Sequence, residues 1–215
     1  MNLSSPVGSL IPSMDGVVLE VLAGTHSALG PSRIHALGHR GSRPGVSLAL
    51  GRLADQGLVH AEPTNYGHTY RLNRDHVLAP AVLAAAEARA EFLRRLTAGC
   101  QALRPAPLSV ALYGSVARRE SDDASDIDLL VVVDDTLDRH APEWTDQTDK
   151  LTQSVRAWTG NRLEPIVMDA NHLAGLAIAD DPLTLSLRED AVTLVGRDLR
   201  ELLDQAVHTG RRTGQ

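Results

Sequence analysis

A short apolar segment, Leu108 to Tyr113, stops at Gly114-Ser115, and ten residues later Asp126-Ile127-Asp128 heads a β-branched run that continues to Val133. No other stretch restricts the fold as tightly. The apolar runs have strand length and the glycine breaks between them, so the pattern predicts strand, turn, strand. If the two strands are antiparallel neighbours, the end of the first and the start of the second share one edge of a sheet. Gly114-Ser115 then meets the two aspartates. Side chains two apart on a strand point to one face, so Asp126 and Asp128 present paired carboxylates while Ile127 turns into the core.

Paired carboxylates at a strand end suit a hard divalent cation. Mg²⁺ takes oxygen ligands, commonly one or two carboxylates plus substrate phosphates, and two such ions can clamp both oxygens of an in-line displacement. Gly114 lets backbone approach phosphate closely, and Ser115 offers a hydroxyl and an amide. Val116 to Arg119 is expected to open a short helix whose N-terminus favours anions, with Arg118 and Arg119 adding charge-assisted contacts. The competing reading of Glu120 to Asp128 is a solvated acidic loop ahead of an ordinary core strand. An EF-hand calcium loop does not fit, because its glycine and distal glutamate are missing.

The segment resembles the nucleotidyltransferases of the DNA polymerase β superfamily, and most closely its minimal members, whose signature is Gly-Ser, ten residues, then Asp-x-Asp. Gly114, Ser115, Ala117, Arg118, Ser125, Asp126 and Asp128 fall on that pattern, and Arg119 stands where a glycine is common. The resemblance implies a mixed α/β (α+β) sheet with helices and a third carboxylate on a later strand. Arg162-Leu163-Glu164-Pro165-Ile166-Val167 resembles that strand, with Glu164 as the candidate for catalysis or metal, although Asp is usual and Pro165 removes a strand donor. Asp169 falls on the other face and substitutes only if the strand bends at Pro165. The implied activity is Mg²⁺-dependent transfer of a nucleoside monophosphate, AMP from ATP in first place, to a protein, RNA or small-molecule hydroxyl. Minimal members resemble both the antitoxin halves of toxin-antitoxin systems and the aminoglycoside nucleotidyltransferases. A regulator whose nucleotidyltransferase domain only senses nucleotide is the alternative.

Residues 1–78 carry a second pattern. Ser13 caps a helix containing Val17, Val18, Val21 and Leu22 that ends at Gly24, and Gly30-Pro31-Ser32 starts another. Gly41-Ser42-Arg43-Pro44 introduces a third, with Val46, Leu50 and Leu53 at helical spacing and Gly57 behind it. Leu58 to Glu62 and His68 to Leu72, around Asn65-Tyr66-Gly67, predict a hairpin. Three helices and a hairpin resemble the winged helix-turn-helix domains of bacterial transcription regulators, most tellingly in SRPGVSLALGRLADQGLV. That resemblance implies binding to the protein's own promoter DNA, with Ser42, Arg43, Ser47 and Arg52 toward the major groove and Arg71, Arg74 and the tip near Asn65 and His68 available to the backbone. A winged helix used only for protein contacts is the other reading.

Residues 79–105 predict one long linker helix, its face of Val82, Ala86, Leu93, Leu96, Cys100 and Leu103 packing on the nucleotidyltransferase domain, 106–215, or on a second subunit in a homodimer. Trp144, Thr148, Leu151, Val155 and Trp158 predict a further helix on the sheet, with both tryptophans in the core. Leu183 to Asp190, Ala191 to Val195 and Leu199 to Val207 are expected as helix, strand and closing helix, and Thr209 to Gln215 as a loose tail.

Charge and composition narrow the setting. Residues 1–78 hold six arginines against five acids, net +1, while the rest holds 15 basic against 22 acidic residues, net −7. A phosphate-bearing macromolecule therefore suits the first part better. Lys150 is the only lysine of the 215 residues, which excludes a Walker A loop. The lone Cys100 forms no intramolecular disulfide, and with no signal-like or membrane-length apolar stretch a cytoplasmic protein without a membrane partner is expected.

Overall fold

The computed structural model describes residues 1–179 and 181–205, which fall into two compact units, 2–90 and 91–215 with Met1. Thr209 to Gln215 and the end of the expected closing helix lie outside the described residues.

The first unit contains α1 (Pro6–Leu10), α2 (Met14–Ala23), α3 (Pro31–Gly38), α4 (Arg43–Asp55), β1 (Val59–Thr64), β2 (Gly67–Leu72) and α5 (Ala79–Ala86). Its helix starts follow from capping chemistry: Ser13 Oγ accepts from Asp15 N at 3.2 Å and Ser42 Oγ from Gly45 N at 3.2 Å, each satisfying a first-turn donor. Strands β1 and β2 pair antiparallel from Val59↔Leu72 to Thr64↔Gly67, leaving Asn65-Tyr66 at the tip. Leu29 adds a short third rung, exchanging two backbone hydrogen bonds with Tyr70 at 2.8 and 2.9 Å. Val18, Leu19, Leu22, Ile34, Val46 and Leu50 form the core. Helix α1, absent from the sequence reading, is held by Glu20, whose carboxylate accepts from Val7 N at 2.7 Å.

The expected single linker helix is two helices, α5 and α6 (Ala88–Gln101), broken at Glu87. Their apolar faces serve different cores. Val82, Leu83, Ala85 and Ala86 of α5 join the first unit's cluster, whereas Phe92, Leu96 and Cys100 of α6 are buried and Glu91 onward belongs to the second unit.

That second unit adds β3 (Ser109–Tyr113), α7 (Gly114–Arg118), β4 (Ile127–Val133), α8 (Pro142–Thr159), β5 (Leu163–Asp169), α9 (Ala170–Ile178), α10 (Pro182–Asp190) and β6 (Val192–Gly196), and residues 199–205 are helical. The sheet is mixed, in the order β5-β4-β3-β6, with β3 antiparallel to both β4 and β6 and β4 parallel to β5. Ala111, Tyr113, Leu130, Val132 and Met168 on one face pack with Leu173, Ala177 and Leu187 of α9 and α10 and with Leu199 and Leu203. Helix α8 packs on β5, and α6 approaches α8 where Gly99 has no side chain: a Cβ there would lie 2.7 Å from Leu151 Cδ1. Gln147 locks the end of that pair, accepting from Arg104 N at 2.8 Å and donating to Arg104 O at 2.9 Å. Burial pushes the Cys100 thiol up to about 12, which leaves it unreactive. Trp144 is buried as expected, but Trp158 is not a core residue; it is half-exposed beneath the Arg95 guanidinium, 5.9 Å from its ring. No helix among the described residues is long and apolar enough to cross a membrane.

Because Val82 and its neighbours complete the first core, a fragment of residues 1–90 is expected to unfold cooperatively on heating and one of residues 1–78 to lack a sharp transition. Circular dichroism melts compare the two, and equal cooperativity would return α5 to the role of a linker.

Candidate active site

Tyr113, the last residue of β3, pairs with Asp128 on β4, so the chain turns at Gly114 directly beside that carboxylate. Gly114 has φ +69°, and a Cβ built on it would overlap Asp128 Oδ2. Both facts demand glycine there. Asp126 precedes β4 by one residue, and Glu164 is the register partner of Asp128 on the parallel strand β5. Register partners and residues two apart share a face, so the strands bring all three carboxylates to one end of one face of the sheet. Ile127, between the aspartates, is buried and donates its backbone N–H to Arg162 O at 2.8 Å, which ties the two carboxylate-bearing segments together.

Their charges are coupled. Burial raises the Asp128 carboxyl above its usual range, Asp126 and Glu164 raise it further, and only Arg118 opposes them. The phenol of Tyr113 is raised by burial and by Asp128. Among the described residues neither Asp126 nor Asp128 forms a side-chain hydrogen bond or an ion pair, whereas Glu164 is held by Arg162 at 2.7 Å.

The other sequence candidates take local roles. Arg118 pairs with Glu120 at 2.8 Å and with Asp190 of α10, so its guanidinium is engaged by carboxylates. Arg119 ends α7 at φ 62°, the left-handed position in which a glycine is free of strain. Ser125 Oγ donates to Asp122 Oδ1 at 2.8 Å and accepts from Asp122 N at 2.9 Å, closing the loop before Asp126. Asn161 then fixes that loop, donating from Nδ2 to Ser125 O at 2.8 Å. Asn161 escaped the sequence reading; its only signal is a buried amide placed just ahead of β5. Asp169 is not part of the site. Strand β5 runs unbent through Pro165, which puts Asp169 opposite Val133, about 16 Å along the sheet from Glu164 at about 3.3 Å per residue. There it caps α9, accepting from His172 N at 2.7 Å, and pairs with Arg139 at 3.4 Å.

The donors fit Mg²⁺ in kind. All are hard oxygens, and the Asp128 carboxyl, raised first by burial and then by Asp126 and Glu164, has a charged form that a cation would favour. Among the described residues, however, no group of three or more His, Cys, Asp or Glu is gathered closely enough to hold an ion. The fit is therefore that of the aspartate pair with substrate oxygens completing the shell.

In the first unit, the residues singled out for DNA are dispersed by their partners. Ser42 caps α4, Arg52 pairs with Asp15 of α2 at 2.8 Å, and Arg71 pairs across the hairpin with Glu62 at 2.8 Å. Arg43 and Ser47 remain exposed. Arg33 and Arg40, unremarked in the sequence, are exposed as well, and with Arg43 they form no ion pair among the described residues.

Residues 93–178, which hold β3 to β5 and the whole carboxylate set, match the model of a nucleotidyltransferase domain. The matched stretch lies wholly within the second unit. No curated protein matches the chain. Among solved structures, one of the toxin-antitoxin MntA-HpeT, in mutant form, is 13% identical over 56% of this chain and 88% of its own, with a TM-score of 0.38. Another, of a toxin-antitoxin with AMP-PNP, is 16% identical over 59% and 87%, with a TM-score of 0.35.

Two substitutions probe this geometry. Arg119→Gly removes a left-handed strain of about 1–2 kcal/mol against an added chain entropy of about 0.5–1 kcal/mol, so denaturant titration should show a gain of roughly 0.5–1 kcal/mol; a loss would mean the side chain holds the turn. Asp128→Asn addresses the coupled charge. Since the folded-state carboxyl binds its proton more tightly than the unfolded one, wild-type stability falls as pH rises above the ordinary value of 3.8. The variant should thus be the more stable protein at pH 7, with the difference closing in acid. A gap independent of pH would refute the coupling.

Proposed function

We propose that the second unit transfers a nucleoside monophosphate from an NTP, ATP in first place, to a hydroxyl acceptor with release of pyrophosphate, and that the first unit binds DNA. The observation that carries the first part is the seating of the Gly114 turn against Asp128, with Asp126 and Glu164 on the same sheet face, inside the stretch that matches a nucleotidyltransferase domain. Asp126 and Asp128 would hold Mg²⁺, which when bound neutralises charge on the transferring phosphoryl group. Gly114 permits close approach of backbone to phosphate, and Ser115 offers its hydroxyl and amide. Glu164, on the edge strand, takes the proton of the acceptor hydroxyl while Arg162 orients it.

Both aspartates of the pair are present, which favours an enzyme over a nucleotide sensor, since a sensor loses one without penalty. A DNA-binding module on the same chain favours a regulatory or toxin-antitoxin setting, with a partner protein, RNA or small molecule as acceptor, over an aminoglycoside-modifying enzyme. For DNA, Arg40 and Arg43 at the entry to α4, with Arg33 on α3, supply the unpaired cations, and Arg52 and Arg71 serve the fold first.

Asp126→Ala and Asp128→Ala should each abolish Mg²⁺-dependent transfer from labelled NTP while the protein stays folded. Glu164→Gln should spare nucleotide binding and slow transfer about a hundredfold or more, a loss of the size expected for a general base. Loss of affinity and rate together would make Glu164 a metal ligand, and full turnover in the aspartate variants would remove the site.

Arg40→Ala with Arg43→Ala should weaken binding to the promoter region and lower the salt slope by about two, as two lost phosphate contacts require, with smaller effects from Arg71→Ala. Absence of wild-type binding at low salt would turn this surface into a protein contact.

A further inference from the structure

Between α6 and α8, within the second unit and built from none of the carboxylate residues, lies an open cavity of about 450 Å³. That volume lies within the range of small-molecule sites, roughly 300–1,000 Å³. Its floor is apolar: Ala98, Gly99, Ala102 and Leu151 line it, and the small residues of α6 are what leave it open. Trp158 forms one wall. The rim is cationic in a region otherwise dominated by acids, since Arg94, Arg95 and Lys150 stand around the opening.

The rim charges are arranged rather than cancelled. Glu91 holds Arg94 and Arg95 at 2.7 Å each, and those two guanidiniums bring its own carboxyl down to about 2. One carboxylate against two guanidiniums leaves a positive excess, and Lys150 forms no ion pair among the described residues to offset it. An indole wall, a small-residue floor and an unbalanced cationic rim are complementary to one chemistry. We propose that this groove binds a small aromatic anion, a flat ring system lying on Ala98 and Ala102 beside Trp158, with its sulfonate, carboxylate or phosphate held by Lys150 and by Arg95, which gives Glu91 a single hydrogen bond and stands over the Trp158 ring. The site is separate from nucleotidyl transfer and does not depend on that reading.

Anilinonaphthalene sulfonate is a suitable probe, because the two tryptophans report on different places: Trp158 lines the groove and Trp144 is buried elsewhere in α8. Titrated into the protein of 215 residues, it should saturate at one site. It should quench emission more strongly in the Trp144→Phe variant, whose remaining indole lines the groove, than in the Trp158→Phe variant. Lys150→Glu, at an exposed position, should weaken it at least about tenfold, the loss expected when a charge-assisted contact becomes repulsive, and Ala98→Trp, which fills the groove from its exposed side, should abolish binding. The uncharged parent arylamine should bind distinctly more weakly than the sulfonate. Thermal melts confirm that each variant is folded. Equal affinity in the wild type, Lys150→Glu and Ala98→Trp proteins would overturn the proposal, as would quenching of Trp144 alone. Tight binding of an acidic helical peptide, with no saturable binding of the aromatic anion, would overturn it in favour of a protein-docking groove.

Discussion

The closeness of Gly114 to Asp128 is the constraint from which the rest of the second unit's site follows. With φ +69° and no room for a Cβ beside Oδ2, position 114 places bare backbone directly against a carboxylate. The directions of the strands then decide what else can reach this point. Because β3 and β4 are antiparallel, the turn after Tyr113 faces the start of β4; because β4 and β5 are parallel, Glu164 arrives at the same end as Asp128. Had β5 run the other way, its start would lie at the far end of the sheet and Asp169 would stand in place of Glu164.

Gathering carboxylates at one sheet edge opposes folding, and the chain tolerates it unevenly. Glu164 is given Arg162, and Arg118 leans toward the cluster while spending its hydrogen bonds on Glu120 and Asp190. Asp128 is left desolvated between two like charges. That residual repulsion is confined to the residues proposed to hold a divalent cation, a cost in stability expected where a site is kept for binding.

What the sequence disclosed and what it hid divide along a physical line. Local signals carried through: the β-branched run from Ile127 to Val133 is β4 to the residue, Ser13 caps the helix it precedes, and Arg119, standing where a glycine is common, takes the left-handed conformation. Partnerships across long separations did not. Arg52 finds Asp15 across 37 residues, Arg118 finds Asp190 across 72 and Asn161 finds Ser125 across 36, and no periodicity encodes such meetings. The break at Glu87 was hidden for a related reason: helix propensity is continuous through Ala79 to Gln101, and only the allegiance of the two apolar faces to separate cores divides it.

Pro165, which argued against a strand when met in the sequence, turns out to suit its place. Among the described residues strand β5 is at the edge of the sheet, where one row of its backbone groups has no strand partner, and a proline there costs little while discouraging another strand from adding to the edge. The residue beside it in the chain is Glu164. An edge that resists pairing leaves the space beside that carboxylate open to an acceptor arriving from solvent. The same position in the middle of the sheet would be walled off by a neighbouring strand. The carboxylate proposed to meet the acceptor thus stands on the strand with an open flank, while the two proposed to meet the nucleotide stand at the head of a central strand, beneath the glycine turn.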